Sequence, residues 1–193
     1  LEGYRILAVS GTHGKTTTSS MCTHILSEAG YDPFFLVGGE VRNLGTNARA
    51  GSGAWAVIEA DEFADAFLAY APEVGVILNV EEDHLNYFGS LERIRQSFRR
   101  FAANTTGAVV VCGDDAEARS VVAGDGPAIT AAVTYYGLGD AEWQATNIAA
   151  NHDGGSDFDL NRRGQSLGHI STRIPGEHNV LNATAAIAAT IAA

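Results

Sequence analysis

Residues 10–18, Ser-Gly-Thr-His-Gly-Lys-Thr-Thr-Thr, bring two glycines, one lysine and a run of hydroxyls into a single short stretch. Such a stretch can wrap a polyphosphate, because glycines let the backbone come close and successive amide N–H groups point at phosphate oxygens. The flanks agree with that chemistry. Residues 4–9 form an apolar run that reads as a buried strand, and over residues 16–29 Met21, Ile25 and Leu26 recur at helical spacing. Strand, glycine-bearing turn, lysine, threonine and helix is the layout of a phosphate-binding loop. In it Gly11, Thr12, His13, Gly14, Lys15, Thr16 and Thr17 would line the phosphates, Lys15 as a point charge at their end and the Thr16 hydroxyl as a ligand to Mg²⁺. The loop is the short form GTHGKT, with Val9 where the longer pattern has its first glycine. Lys15 is the only lysine; the other basic residues are arginines, so the retained lysine suits a task the planar guanidinium cannot perform.

Other candidate groups fall at the ends of predicted strands, where open α/β sheets bind ligands. Glu59 follows the apolar run 55–58 and is expected to direct a carboxylate at Mg²⁺, the alternative being a solvated acid. Asp61 and Glu62 are either supporting partners of that carboxylate or solvated groups, and Asp65 reads only as a helix cap. His84 follows the run 74–78; it is either a surface histidine or a metal ligand, with Asp83 placed to orient its ring. Lys15, Glu59 and His84 are thus the candidate catalytic groups, and Thr16, Glu59 and His84 the candidate metal ligands. Near the C-terminal end, Asn179 and Asn182 carry the paired donor and acceptor that suit an adenine edge, although Asn179 reads equally well as a helix cap. His24, His152 and His169 belong to no constellation and read as structural or exposed.

The elements that must position these groups alternate. Strands are expected at 4–9, 34–37, 55–58, 74–78, 108–112 and 133–136, and helices at 16–29, at 90–103 with Ser90 as cap, and after Asp114 or Asp115. That alternation implies an α/β fold, a doubly wound and mostly parallel sheet. Residues 38–53, rich in Gly, Asn and Ala, read as a long loop. From about 141 to 174 the texture changes to polar–apolar alternation broken by Asp-Gly-Gly and Arg-Arg-Gly turns, which predicts a small antiparallel sheet appended near the C-terminal end. A last, alanine-rich helix follows residues 175–179. The net charge of −11 argues against a nucleic-acid or anionic-membrane partner and requires any phosphate site to be locally electropositive. Two cysteines are too few for a disulfide framework, which points to the cytoplasm. The chain starts at Leu1 and stops inside a helical run, as a fragment of a longer protein would.

Four strings, GTHGKTT, EADE, NVEEDHL and PGEHNVLNATAAIAA, together resemble the central ATPase domain of the Mur ligases, the ATP-dependent amide-forming enzymes of peptidoglycan synthesis. The resemblance spans nearly all of residues 1–193 and implies that flanking domains bind the UDP-sugar and close over ATP. It further implies that Lys15, Thr16 and the loop amides hold the phosphates, that Glu59 and His84 hold two Mg²⁺ ions, and that Asn179 and Asn182 address adenine. Branches of the family that add later residues carry a modified lysine downstream of the glutamate. No lysine stands there in this chain, which implies the branch that joins L-alanine to UDP-N-acetylmuramate, or the recycling branch that joins a whole peptide. Asn86 departs from the aspartate common at its position. A plain phosphate-loop nucleotide-binding module is the alternative outside the ligases.

Overall fold

The structure, a computed structural model, describes residues 1–193. Its centre is β1 (Arg5–Ser10), whose last four residues are fully buried because both faces and both edges of the strand are covered. In chain order the other strands are β2 (Phe34–Val41), β3 (Thr46–Arg49), β4 (Trp55–Glu59), β5 (Val74–Ile77), β6 (Ala108–Cys112), β7 (Ala132–Gly137), β8 (Trp143–Ala150), β9 (Ser156–Arg162) and β10 (Gln165–Ser171). They form one ten-stranded sheet in the order β10-β9-β8-β7-β6-β5-β1-β4-β2-β3. Pairing is parallel from β2 across to β8 and antiparallel at both margins, β2 with β3 at one and β8 with β9 and β9 with β10 at the other.

Helices cover both faces. α1 (Lys15–Glu28) and α5 (Glu177–Ala192) share one; α3 (Leu91–Asn104) and α4 (Ala116–Ala123) share the other with the one-turn α2 (Leu85–Phe88) and a 3₁₀ segment, Phe63–Ala69. α1 and α5 can approach closely because the facing side chains are small: the Cys22 sulfur lies 4.0 Å from the Ala186 carbonyl, among Ala185, Ala188 and Ala189. Complete burial pushes the Cys22 thiol up to about 12, so this cysteine is an inert apolar filler. On the other face Ile94, Phe98 and Phe101 of α3 pack on Ala8, Ile77, Val109 and Val111. Ser90 caps α3 by accepting from the Arg93 amide at 3.3 Å, and Asp115, not Asp114, caps α4 by accepting from the Ala118 amide at 2.7 Å.

One expectation changes and another is refined. Residues 38–53 are not a loop: β2 runs on through Val41 and the chain returns as β3, turning where Leu44 and Gly45 both donate to the Val41 carbonyl. The glycines and asparagines concealed an alternation in which Val37 and Val41 enter the core while Leu36 faces out. Asp32 then closes the segment, accepting from the Ser52 amide and hydroxyl at 2.8 Å each. The antiparallel strands, in turn, continue the main sheet, since β8 pairs in parallel with β7 at Tyr136↔Trp143 and Gly137↔Gln144. α5 lies across that junction, with Val180 and Ala183 packed on Ala145, Phe158 and Leu160.

Phe67 anchors the 3₁₀ segment. It is fully buried, stacked on Phe101 at 5.0 Å between ring centroids and edge-on to Phe98 at 5.1 Å. Phe67→Ala is expected to cost about 3–5 kcal/mol in urea unfolding. A loss below about 1 kcal/mol would show that the segment is not held by this contact.

Candidate functional site

Strand register decides which side chains meet. Val9 pairs with Glu59 and Ser10 with Ile77, so the loop after β1 emerges between the ends of β4 and β5. Glycine is required twice in that loop. Gly11 has φ 142° and a Cβ there would lie 2.9 Å from Leu78 Cβ and 3.1 Å from the Asn79 nitrogen; Gly14 has φ 85° and a Cβ would lie 2.6 Å from Asn182 Oδ1. Asn79 clamps the loop from the β5 side. Its Oδ1 accepts from the His13 amide at 2.7 Å, its Nδ2 donates to the His13 carbonyl at 3.1 Å, and its own carbonyl accepts from the Thr12 amide at 3.1 Å. The Glu81 amide donates to the Thr12 hydroxyl at 3.0 Å, completing the clamp.

The loop delivers the chain into α1 with Gly14 as N-cap, and no side chain caps the first turn. The amides of Lys15, Thr16 and Thr17 therefore stand at an open, partially positive helix end. Thr16 Oγ1 donates to both oxygens of Glu59, at 3.1 and 3.0 Å, and the Gly38 amide donates to Glu59 Oε2 at 2.6 Å. A Cβ on Gly38 would lie 2.9 Å from Glu59 Oε1, so β2 reaches the carboxylate only because glycine stands there. A hydroxyl and a carboxylate in contact make an all-oxygen donor set that fits a hard divalent cation. Lys15 folds back into the loop mouth, donating to the Gly11 carbonyl at 2.6 Å and to Glu62 Oε2 at 2.8 Å.

His84 does not join Glu59. Its ring nitrogens belong to a separate group with the carboxylates of Asp61 and Glu62, the candidate ligand atoms all lying within 4.8 Å of one another. Its ring packs against Phe63 at 4.9 Å, and its backbone has φ 52°, a strained conformation for histidine. Asp83 accepts from the His84 amide at 2.7 Å, while the ring nitrogen stays 3.8 Å away; it fixes the backbone rather than the ring. Around α5, Gly176 and not Asn179 is the N-cap. Asn179 Nδ2 donates to the Pro175 carbonyl at 2.7 Å, and its Oδ1 accepts from Asn182 at 3.3 Å. Asn182 is buried against Gly14, which ties the start of α5 to the phosphate loop. His13 points outward, 3.6 Å from Glu81.

Three features escape a reading of the sequence alone. Glu62 is buried and paired with Lys15 rather than solvated, so the expected local surplus of positive side-chain charge is absent; only the loop amides supply it. Asn79 belongs to the same string as His84, yet nothing in that string marks it as the loop clamp. Asp65 is not a cap: it accepts from the hydroxyls of Tyr87 and Ser97 and so joins the 3₁₀ segment to α2 and α3. Outside the site, His169 is exposed, as expected, yet not isolated: it faces Asp159 at 2.9 Å and Asp157 at 3.8 Å across β10 and β9, and the Asp159 hydrogen bond raises its pKa. No helix is long and apolar enough to cross a membrane.

Comparison with known proteins agrees with this geometry. Residues 9–190 match the family described as Mur ligase middle domain. The UDP-N-acetylmuramate–L-alanine ligase of Caldanaerobacter subterraneus is 44% identical over 187 residues, covering 95% of this chain and 40% of that protein. Among solved structures, the UDP-N-acetylmuramate:L-alanyl-γ-D-glutamyl-meso-diaminopimelate ligase from Neisseria meningitides superposes with a TM-score of 0.85 at 33% identity, covering 99% of this chain and 62% of that one. The UDP-N-acetylmuramate–alanine ligase of Thermotoga maritima gives 0.82 at 30% identity, covering 96% and 40%. The chain thus spans about two fifths of the length of the curated relatives it matches.

Removing the Asn79 amide should free the loop without unfolding the sheet. In Asn79→Ala the His13 amide is expected to exchange with solvent roughly tenfold faster, read by NMR hydrogen exchange, with the amides of β1 unchanged. Equal acceleration along β1 would mean that Asn79 holds the strand and not the loop.

Proposed function

The chain belongs to the Mur ligase middle domain family, and on that premise we propose that it is the nucleotide-binding domain of an ATP-dependent ligase that joins L-alanine to UDP-N-acetylmuramate in peptidoglycan synthesis. The single observation behind the reading is the convergence of the open α1 N-terminus, Lys15 and the Thr16–Glu59 contact at the ends of β1 and β4. In this reading ATP gives its terminal phosphoryl group to the sugar's carboxylate, the alanine amine attacks the resulting acyl phosphate, and phosphate departs. The protein's share is alignment and charge neutralisation. The loop amides and Lys15 would hold the phosphates, Asn79 keeps the loop in shape, and Asn179 with Asn182, which is packed against Gly14, would address the base. Thr16 with Glu59, and His84 with Asp61, are the groups that would hold Mg²⁺, and the metal when bound would neutralise phosphate charge.

The UDP-sugar and the amino acid would be received by flanking domains that this domain serves, in the cytoplasm, with no nucleic acid or membrane as partner; the net charge of −11 supports the last point. A second reading, a ligase joining a whole peptide to UDP-N-acetylmuramate, is favoured by the superposition on the Neisseria enzyme. Curated relatives at 36% to 44% identity that are named as L-alanine ligases favour the first.

Calorimetric titration with Mg²⁺-ATP tests the nucleotide site. Lys15→Ala is expected to weaken binding by a factor of about a hundred, the scale of one buried charge-assisted contact. Binding indifferent to Lys15 would remove the phosphate-loop reading. Assaying the full-length parent with L-alanine against the tripeptide then separates the two ligase readings, the first expecting turnover with alanine alone.

A further inference from the structure

Glu62 is a carboxylate with 3% of its surface exposed, and the one cation within ion-pair distance is Lys15, at 2.8 Å. Metal binding at Thr16 and Glu59 does not call for it, and although its carboxylate lies within 4.8 Å of the Asp61 and His84 ligand atoms it is already paired with Lys15; a buried acid beside a phosphate seat works against anion binding unless it has a task of its own.

The donors of Lys15 show what that task is. An ammonium has three N–H groups. Here one goes to the Gly11 carbonyl at 2.6 Å and one to Glu62 at 2.8 Å, while the third has only a long contact, 3.4 Å, to the Thr12 carbonyl. A phosphate oxygen can take that third donor without displacing Glu62. Two acceptors on one ammonium then sit about 4–5 Å apart, so the incoming charge would face a carboxylate at that distance with little water between them. Nor can Glu62 readily swing aside. The segment behind it is pinned by fully buried Phe67, by Asp65 bonded to the Tyr87 and Ser97 hydroxyls, and by Phe63 packed on His84 at 4.9 Å. Ala64 and Asp65 hold this turn with φ of 53° and 59°.

We propose that Glu62 is a positioning residue that makes polyphosphate binding conditional on a divalent cation. It holds Lys15 in the loop mouth and cancels its charge, so a bare polyphosphate meets repulsion whereas one carrying its own metal does not. The inference rests on the phosphate-site reading above.

Glu62→Gln tests it, because the amide keeps the shape and one acceptor oxygen for Lys15 while removing the charge. Inorganic triphosphate and ATP are titrated calorimetrically, each with Mg²⁺ and each with EDTA. Metal-free affinity is expected to rise about tenfold in Glu62→Gln and to stay within about twofold in Glu28→Gln, an exposed acid at the far end of α1. Unchanged or weaker metal-free binding in Glu62→Gln, or an equal gain in Glu28→Gln, overturns the proposal. Wild-type protein that binds Mg²⁺-ATP through Lys15 while Glu62→Gln shows no gain overturns this inference alone; wild-type protein that binds no Mg²⁺-ATP overturns the phosphate-site reading as well. A measurement on the unaltered protein stands beside these. Lys15 being the only lysine, ¹⁵N-lysine labelling yields one ε-ammonium signal, expected to be protected from water exchange before nucleotide is added and to remain so in the Mg²⁺-ATP complex. An unprotected signal in the free protein would mean that the pair does not form in solution.

Discussion

The parallel pairing of β1 with β4 on one side and β5 on the other is the constraint on which the site depends. Because Val9 stands opposite Glu59 and Ser10 opposite Ile77, three strand ends reach the same level. The loop after β1 is then flanked at once by a carboxylate from one neighbour and an asparagine clamp from the other. A shift of one residue in either pairing would turn those side chains to the opposite face of the sheet. Register is in turn held by apolar runs in the central strands, buried on both faces, so the core that stabilises the fold is also what sets the spacing of the chemistry.

Onto this frame the chain places very little positive charge. Its net charge is −11 and its one lysine is already committed to a buried carboxylate. The positive potential at the loop is therefore mostly backbone: the uncapped first turn of α1 and the amides of a loop that two glycines allow to fold tightly. Backbone dipoles fixed in this way need no reorganisation when a ligand arrives. The acids gathered round the loop, Glu59, Asp61 and Glu62, suit it to an anion that brings its own cations.

The same frame also explains why α5 is so rich in alanine. The helix must lie against α1 on one side and across the β7–β8 junction on the other, and only small side chains leave room for both. Its first turn is thereby pressed against Gly14, so that Asn182, far away in sequence, becomes part of the wall of the phosphate loop.

How much of this was legible beforehand differs from element to element. Period and composition alone determined the alternating strands and helices, the glycine-bearing turn that leads through Lys15 and Thr16 into α1, the Ser90 cap and the antiparallel margin, because each is encoded within a dozen neighbouring residues. Local sequence concealed the β2–β3 hairpin, since glycines needed for close approach to Glu59 look like loop residues until their neighbour is known. Only the tertiary structure decided that Glu62 is Lys15's partner, that Asn79 clamps His13, that His84 groups with Asp61 and Glu62 rather than with Glu59, and that Gly176 rather than Asn179 caps α5. Most of these depend on which strand ends lie side by side, which is set by sheet order and register, and no short stretch of sequence carries that information.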